Sequence, residues 1–268
     1  MQAIMNLLSI ILYTVCGALL LIKLTRPAVL ESVNKHWVLG MATLAILIHG
    51  LVLYYGLFSP TGLDIRFYHV LSLVAWLVAV LLIISMLSMR VECLGIIVFP
   101  FAALVLILNY LPSESHILAY NMKSGLLVHI MFSILAYSLL SIAAVQALLL
   151  YIQDTHLHNK HPGGFVRTLP PLETMEILLF RIIALGFITL SIALLSGMVY
   201  LEDMFAQHIA HKTILSLVAW LLFATLLWGR WQFGWRGRIA IRWTYSGFIV
   251  LMLAYFGSKF VIELVLNR

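Results

Sequence analysis

The stretch that decides the fold is SGLLVHIMFSILAYSLLSIAAVQALLLY, residues 124–151, which contains no Asp, Glu, Lys or Arg. About 20 mostly apolar residues in a helix suffice to cross a hydrocarbon core of about 30 Å, so this stretch predicts a transmembrane helix. The whole chain agrees with it: 63% of its residues are hydrophobic and 10% are charged, and its mean hydropathy is +1.08. Water-soluble domains carry roughly a quarter charged residues, so the sequence indicates an integral membrane protein.

Seven further apolar segments of similar character accompany this stretch. We therefore predict an all-α fold, a polytopic transmembrane helical bundle of about eight spans, in a single domain that covers residues 1–268. The first span has no basic segment before it and is predicted to be retained, unlike a signal peptide. The predicted spans are 4–23, 37–58, 68–88, 93–111, 124–151, 175–200, 213–229 and 243–266.

The basic residues predict how the chain is oriented, because Lys and Arg in short connections stay on the cytoplasmic side. Ten fall in the first, third, fifth and seventh connections: Lys23, Arg26, Lys35, Arg90, Lys160, Arg167, Arg230, Arg236, Arg238 and Arg242. Four lie on the opposite side: Arg66, Lys123, Lys212 and Arg268. This asymmetry predicts that both termini face outward.

The densest basic stretch is LLWGRWQFGWRGRIAIRW, residues 226–243, with four arginines, four tryptophans and no acidic residue. In a cytoplasmic connection, such arginines meet anionic lipid headgroups and such tryptophans lie in the interfacial aromatic belt. The net charge of +6 thus belongs to membrane-edge connections, which argues for lipids as partners and against nucleic acid.

Histidines in or beside the outer half of the membrane are the candidate functional residues, because an ionisable residue within a span is costly. His129 lies five residues into the fifth span, about 7 Å below its outer edge. His49 lies inside the second span, and His211 stands at the outer start of the seventh. Two imidazoles from different helices can ligate a six-coordinate haem iron. The alternative for each is a structural histidine that hydrogen-bonds a neighbouring carbonyl.

Patterns typical of enzymes are missing from the sequence. It has no Ser-His-Asp arrangement, no glycine-rich phosphate loop and no carboxylate pair within a span, so we expect a protein without catalytic activity. Two other classes stay open beside haem handling: a membrane scaffold or regulator of a partner complex, and a small-molecule transporter. We find no inverted repeat of the kind that many transporters have.

The C-terminal half resembles a known family. The stretches that carry the resemblance are LLVHIMFSILAYSLLSIAAVQALLLYIQ (126–153), LPPLETMEILLFRIIALGFITLSIALLSGMVY (169–200) and GWRGRIAIRWTYSGFIVLMLAYFGSKFV (234–261). They are similar to the cytochrome c assembly family of haem-handling membrane proteins, the group of CcsA, CcmC and HemX. The resemblance implies haem as cofactor, a role in cytochrome c biogenesis and a multi-pass location in the bacterial inner (cytoplasmic) membrane.

The same resemblance carries over one site residue and marks three departures. His129 matches the histidine of the family's H…SY helix, which is an external haem ligand in the haem exporters. The family's tryptophan-rich motif corresponds to EDMFAQHIAH, residues 202–211, which has no tryptophan; Trp228 stands where a histidine is expected; and the final external histidine has no counterpart. His211, His208 and His49 are therefore predicted as substitute iron ligands.

Overall fold

The computed structural model describes residues 2–25, 34–59, 62–89, 91–111, 117–119, 124–158, 169–200 and 210–257. The chain divides into two compact units, the first formed by residues 1–120 and 156–170 and the second by residues 121–155 and 171–268. The single domain predicted over residues 1–268 stays a prediction.

Eight α-helices account for most of the described residues, which confirms the predicted all-α, polytopic class. They are α1 (Gln2–Thr25), α2 (Lys35–Leu57), α3 (Phe67–Ser88), α4 (Glu92–Leu108), α5 (Ser124–His158), α6 (Leu172–Tyr200), α7 (Ala210–Phe233) and α8 (Arg238–Met252), which continues as a π-helix over Leu253–Gly257. Seven of the described helices are long and apolar enough to cross a membrane. The exception is α4, whose 17 residues extend about 26 Å.

The first unit is a four-helix arrangement in which α1 and α3 each pack against both α2 and α4. Helices α1 and α4 approach each other closely at Gly17, where an added Cβ would lie 2.8 Å from the ring of Pro100. Glycine at position 17 thus makes room for the proline ring, which stands in the middle of α4. A proline inside a helix removes one backbone hydrogen bond, and in a membrane it is tolerated where neighbouring helices cover the site.

A small antiparallel sheet at one end of this unit was not foreseen from the sequence. Strand β1 (Phe58–Ser59) directly follows α2, β2 (Gly62–Asp64) precedes α3, and β3 (Ile117–Ala119) comes from the connection after α4. The strand order is β1-β2-β3, with Leu63 paired to Phe58 on one side and to Leu118 on the other. The strands are too short for an alternation of polar and apolar residues to be recognised.

The second unit contains α5 to α8, and hydrogen bonds between side chains and backbone hold α5 to its neighbours. The Gln146 side chain donates to the carbonyl oxygen of Met175 in α6 at 3.0 Å. The Tyr137 hydroxyl donates to the carbonyl oxygen of Leu251 at 2.8 Å, where α8 approaches its π-helical end. Both donors are buried. Polar groups inside a membrane protein need such partners, because lipid offers none.

Several predicted spans are longer in the structure than in the prediction. Helix α5 continues to His158 and α7 covers 210–233, so each passes its predicted end at 151 and 229. Helices extend beyond the apolar stretch because the interface tolerates polar residues in helical conformation. The predicted end of the eighth span at 266, His208 and the stretch 202–209 lie outside the described residues.

Candidate functional site

His129 is positioned by the pairing of α5 with α6. Its Nδ1 atom lies 2.7 Å from the carbonyl oxygen of Ala193. A carbonyl only accepts, so Nδ1 carries the proton and Nε2 is the unprotonated nitrogen of the neutral ring. Among the residues that the structure describes, Nε2 has no hydrogen-bond partner, and the side chain is half-buried. This tautomer is the one that can bind a metal through Nε2.

Small residues and backbone acceptors along α6 determine how α5 and α6 are aligned. A Cβ on Gly186 would lie 2.7 Å from the Leu140 side chain, so glycine lets that side chain approach α6 closely. The Ala193 carbonyl also accepts the Ser196 hydroxyl at 2.9 Å. His129 therefore meets a backbone acceptor on α6, and its ring has a defined orientation.

His211 lies at the start of α7, exposed, in the same unit as His129. The Trp220 indole donates to Ser191 of α6 at 2.8 Å, which places Trp220 level with Ser191. Ala193 lies two residues further toward the C-terminal end of α6, and α7 runs antiparallel to α6. Because His129 contacts Ala193, His211 lies farther than His129 toward the C-terminal end of α6, by about seven residues or about 10 Å along the helix axis.

His49 lies in the first unit and is fully buried. Its Nδ1 is 3.2 Å from the Tyr13 hydroxyl of α1, and its Nε2 is 2.9 Å from the Ser72 hydroxyl of α3. Both ring nitrogens therefore have partners, and an iron ion would have to displace one of them. The arrangement links three helices through one imidazole.

One face of α1, here called the polar stripe, contains Tyr13, the hydrogen-bond partner of His49. This stripe was not recognised in the sequence. The buried residues of α1 include Asn6, Ser9, Tyr13, Cys16 and Leu20, which are spaced by three, four, three and four positions. That spacing is typical of a helix face that packs against neighbouring helices, and it is the signal that would have revealed the stripe. Ser9, for example, donates to the Ala45 carbonyl of α2 at 3.0 Å.

A second missed residue is Glu176, which is buried near the start of α6. Its Oε1 accepts the backbone N–H of Gly237 at 2.7 Å, and Gly237 is the residue before α8. A carboxylate at this position satisfies a backbone donor and interacts favourably with the helix dipole. No motif in the sequence marks Glu176, because the partner of its carboxylate is a backbone N–H that lies 61 residues further along the chain.

The loop between α7 and α8, residues 234–237, is fixed by its own aromatic and basic residues. Arg230 donates to the Trp235 carbonyl at 3.1 Å and lies 4.7 Å from the centre of the Phe180 ring. The Trp235 ring packs against Trp243 in a tilted arrangement, with 5.5 Å between ring centres. Gly234 and Gly237 have φ values of 65° and 57°, which favour glycine. The stretch therefore has an architectural function in the described fold.

This packing makes Gly229 sensitive to substitution. A Cβ there would lie 2.3 Å from the Trp235 ring, so Gly229→Ala should displace the tryptophan and lower the free energy of unfolding by about 1–3 kcal/mol. The matched control is Gly40→Ala in α2, where nothing lies within 4 Å of the added carbon and we expect no loss. Thermal unfolding of both variants in detergent measures the difference, and equal stability of the two would contradict the prediction.

No group of three or more His, Cys, Asp or Glu side chains suited to a metal ion occurs within the described residues. A haem iron needs only one or two protein ligands, so single histidines are the relevant candidates. Of the four predicted ligands, His208 lies outside the described residues. The structure brings His129 and His211 into one unit, and it places His49 in the other.

A family model described as Cytochrome C assembly protein matches residues 37–266 of the chain. The chain belongs to the cytochrome c assembly family. The matched range contains His49, His129 and His211, together with Glu176 and the loop that it holds. Membership thus confirms the predicted family and fits the multi-pass helical fold.

Individual members of the cytochrome c assembly family and related proteins show how far the similarity extends. The inner membrane protein YpjD of Escherichia coli (strain K12) is 33% identical over 265 residues, covering 97% of this chain and 98% of that protein. An uncharacterized 28.8 kDa protein of Azospirillum brasilense is 33% identical over 142 residues, 52% of each chain. The cytochrome c biogenesis protein CcsA of Gloeothece citriformis (strain PCC 7424) is 30% identical over 108 residues, 40% of this chain and 33% of that protein. No solved structure matches.

Proposed function

We propose that this cytochrome c assembly family protein is a haem-handling protein of the bacterial inner membrane without catalytic activity of its own, and that His129 ligates the haem iron through Nε2. The observation that carries the proposal is the bond from Nδ1–H of His129 to the Ala193 carbonyl. Metal-ligating histidines commonly donate their second ring N–H to a carbonyl, which fixes the ring and the tautomer. The name of CcsA, a cytochrome c biogenesis protein, supports this role, and that of the E. coli relative supports the location.

The surroundings of His129 suit an apolar macrocycle. Leu126 and Phe132 lie three positions before and after His129 in α5, on the same face of the helix, and both are partly exposed. These side chains offer apolar contact to a porphyrin ring that is bound through Nε2. When bound, haem would supply the coloured, redox-active iron, whereas the chain's own residues orient the ligand and exclude water from one side.

His211 is the better second ligand on the described geometry. It is exposed at the start of α7, and it lies at the same end of the second unit as His129. His49 would have to give up a hydrogen bond to Tyr13 or Ser72. We therefore propose that His129 and His211 bind one iron, and that His49 has a structural role.

The test is a titration of the purified protein in detergent with haemin, followed by absorption spectroscopy. We expect a saturable Soret band with the visible bands of a six-coordinate iron, and a change to a five-coordinate spectrum in His211→Ala. The control is His158→Ala, at the exposed far end of α5, which should titrate like wild type. A wild-type protein without a saturable spectrum would contradict the proposal and favour the scaffold role.

Orientation is a separate proposal with its own measurement. The excess of basic residues in the odd-numbered connections supports a cytoplasmic location for the loop at 234–237 and outward-facing termini. A reporter that is active only outside the cytoplasm should be active when fused after residue 268 and inactive when inserted in that loop. The reverse pattern would place His129 at the cytoplasmic side.

A further inference from the structure

One face of α6 combines exposed apolar side chains with a charged residue. Arg181 is exposed on this face, and its apolar neighbours there each expose between 41% and 63% of their surface. Because these positions recur at helical spacing, they share one side of the helix. In a membrane-spanning helix such a side faces lipid, where an unpaired charge is costly. This exposed α6 face consists of Ile177, Arg181, Leu185, Ile188 and Leu195.

Arg181 has no acceptor of its own within the described residues, where it forms no hydrogen bond and no ion pair. The positions one turn before and after it, at 177, 178, 184 and 185, are all apolar, so no carboxylate of α6 lies one turn away. The connection before α6, residues 159–171, contains no Asp or Glu either. A guanidinium stays charged and carries five N–H donors. Its acceptor is therefore expected from a lipid or from a partner protein.

The depth of Arg181 in the membrane follows from Glu176, which accepts the N–H of Gly237 at 2.7 Å. Gly237 belongs to the loop between two spanning helices, so Glu176 lies at the membrane surface. Arg181 comes five residues later, which places its Cα about 7–8 Å deeper. Helical side chains lean toward the N-terminus of their helix, and a long arginine stem extends to the interface. The guanidinium therefore reaches the level of lipid phosphates, which favours a lipid over a carboxylate in the middle of a partner helix.

A second unpaired charge stands closer to the surface on the same side of α6. Glu173 is exposed in the first turn, and it too has no hydrogen bond or ion pair within the described residues. It precedes Arg181 by about two turns, and the two side chains do not pair directly. From the membrane outward, α6 thus presents a cation and then an anion. A zwitterionic headgroup has the complementary order, because its phosphate lies deeper than its ammonium group.

We propose that the exposed α6 face binds phosphatidylethanolamine, with the lipid phosphate on the Arg181 guanidinium and the lipid ammonium on the Glu173 carboxylate. Arginine suits a phosphate because its parallel N–H groups bond two oxygens at once. The ammonium supplies the N–H donors that a carboxylate accepts. The acyl chains then lie along the apolar side chains that follow Arg181. This proposal does not depend on haem binding at His129.

The experiment is native mass spectrometry of the full chain in detergent, with one lipid added at a time. The probes share dioleoyl chains: phosphatidylethanolamine, phosphatidylcholine, whose methylated ammonium has no N–H, and phosphatidylglycerol, which is anionic and has no ammonium. We expect phosphatidylethanolamine to bind at least about fivefold more tightly than phosphatidylcholine, the effect of one lost hydrogen bond. It should also bind more tightly than phosphatidylglycerol, which leaves Glu173 without a partner.

Two variants assign the two contacts separately. Glu173→Ala removes the carboxylate, so phosphatidylethanolamine and phosphatidylcholine should then bind within about twofold of each other. Arg181→Gln should weaken all three lipids about tenfold, because each of them carries the phosphate. The control is Arg242→Gln, which removes an exposed arginine from α8 and should keep the wild-type preference. All three variants change exposed residues, and their unfolding temperatures should match that of wild type.

Four results would overturn the proposal. The first is equal affinity of the wild-type protein for phosphatidylethanolamine and phosphatidylcholine, and the second is a preference that survives Glu173→Ala. The third is tightest binding of phosphatidylglycerol, which would assign Arg181 to anionic lipids. The fourth is unchanged lipid binding in Arg181→Gln together with loss of a co-purifying membrane protein, which would make the exposed α6 face a protein interface.

Discussion

His129→Asn should bind haemin at least about 100-fold more weakly than wild type and unfold at nearly the same temperature. Asparagine places an amide N–H near the position of Nδ1, so the bond to the Ala193 carbonyl can persist while the Nε2 ligand is removed. Loss of an orienting partner alone lowers metal affinity about 10–100-fold, so loss of the ligand itself should exceed that range. Haemin titration and thermal unfolding of the same preparation measure the two properties.

His129→Ala completes the comparison. It removes the ligand and the interhelical hydrogen bond together, and the lost bond should cost about 0.6–2 kcal/mol in a membrane. Both variants should therefore lose haem, and only the alanine variant should lose stability. If His129→Asn binds haemin like wild type, then His129 holds α5 to α6 and does nothing else.

His49→Ala should have the largest effect on stability, with an expected loss of about 2–4 kcal/mol. The substitution leaves a cavity in a fully buried position and removes the partner of both the Tyr13 and the Ser72 hydroxyls. Denaturant unfolding followed by circular dichroism measures the loss. In the fraction that stays folded, haemin affinity should remain within about twofold of wild type, a change of roughly 0.4 kcal/mol.

A control in the same helix makes this result interpretable. His36 is exposed in the first turn of α2, and His36→Ala should change stability by no more than about 0.5 kcal/mol. Tyr13→Phe should give an intermediate loss, because only one hydroxyl disappears. A stable His49→Ala protein that no longer binds haemin would reverse the roles proposed here for His49 and His211.

The membrane class, the number of helices in the described residues and the family could be predicted from the sequence. A long apolar segment in lipid must satisfy its own backbone hydrogen bonds, so it forms a helix. Helix ends were less predictable. The structure extends α5 to His158, through residues such as Gln153 and Asp154 that hydropathy alone assigns to a loop. The three short strands followed no recognisable pattern, since their pairing depends on segments that are far apart in the sequence.

The candidate site was predictable in part. His129 could be named because it is an ionisable residue inside an apolar helix. Its partner, the Ala193 carbonyl, could not, because a backbone acceptor leaves no trace in the residue type. His49 looked equally suited to iron, and only the positions of Tyr13 and Ser72 on two other helices distinguish it. The packing of helices determines contacts of this kind, and the spacing of residues along one helix does not reveal them.

The polar stripe of α1 also constrains how the protein is made. Ser9 and Tyr13 find their partners on α2, which follows α1 directly and can therefore enter the bilayer with it as a hairpin. The partner of Asn6 is the Leu106 carbonyl, 100 residues further along the chain, and at 5–20 residues per second it is synthesised about 5–20 s later. During that interval the Asn6 amide faces lipid or the insertion machinery. Release of the first helix from the translocon should accordingly wait for α4, so that a nascent chain cut off before residue 106 would remain associated with insertion factors.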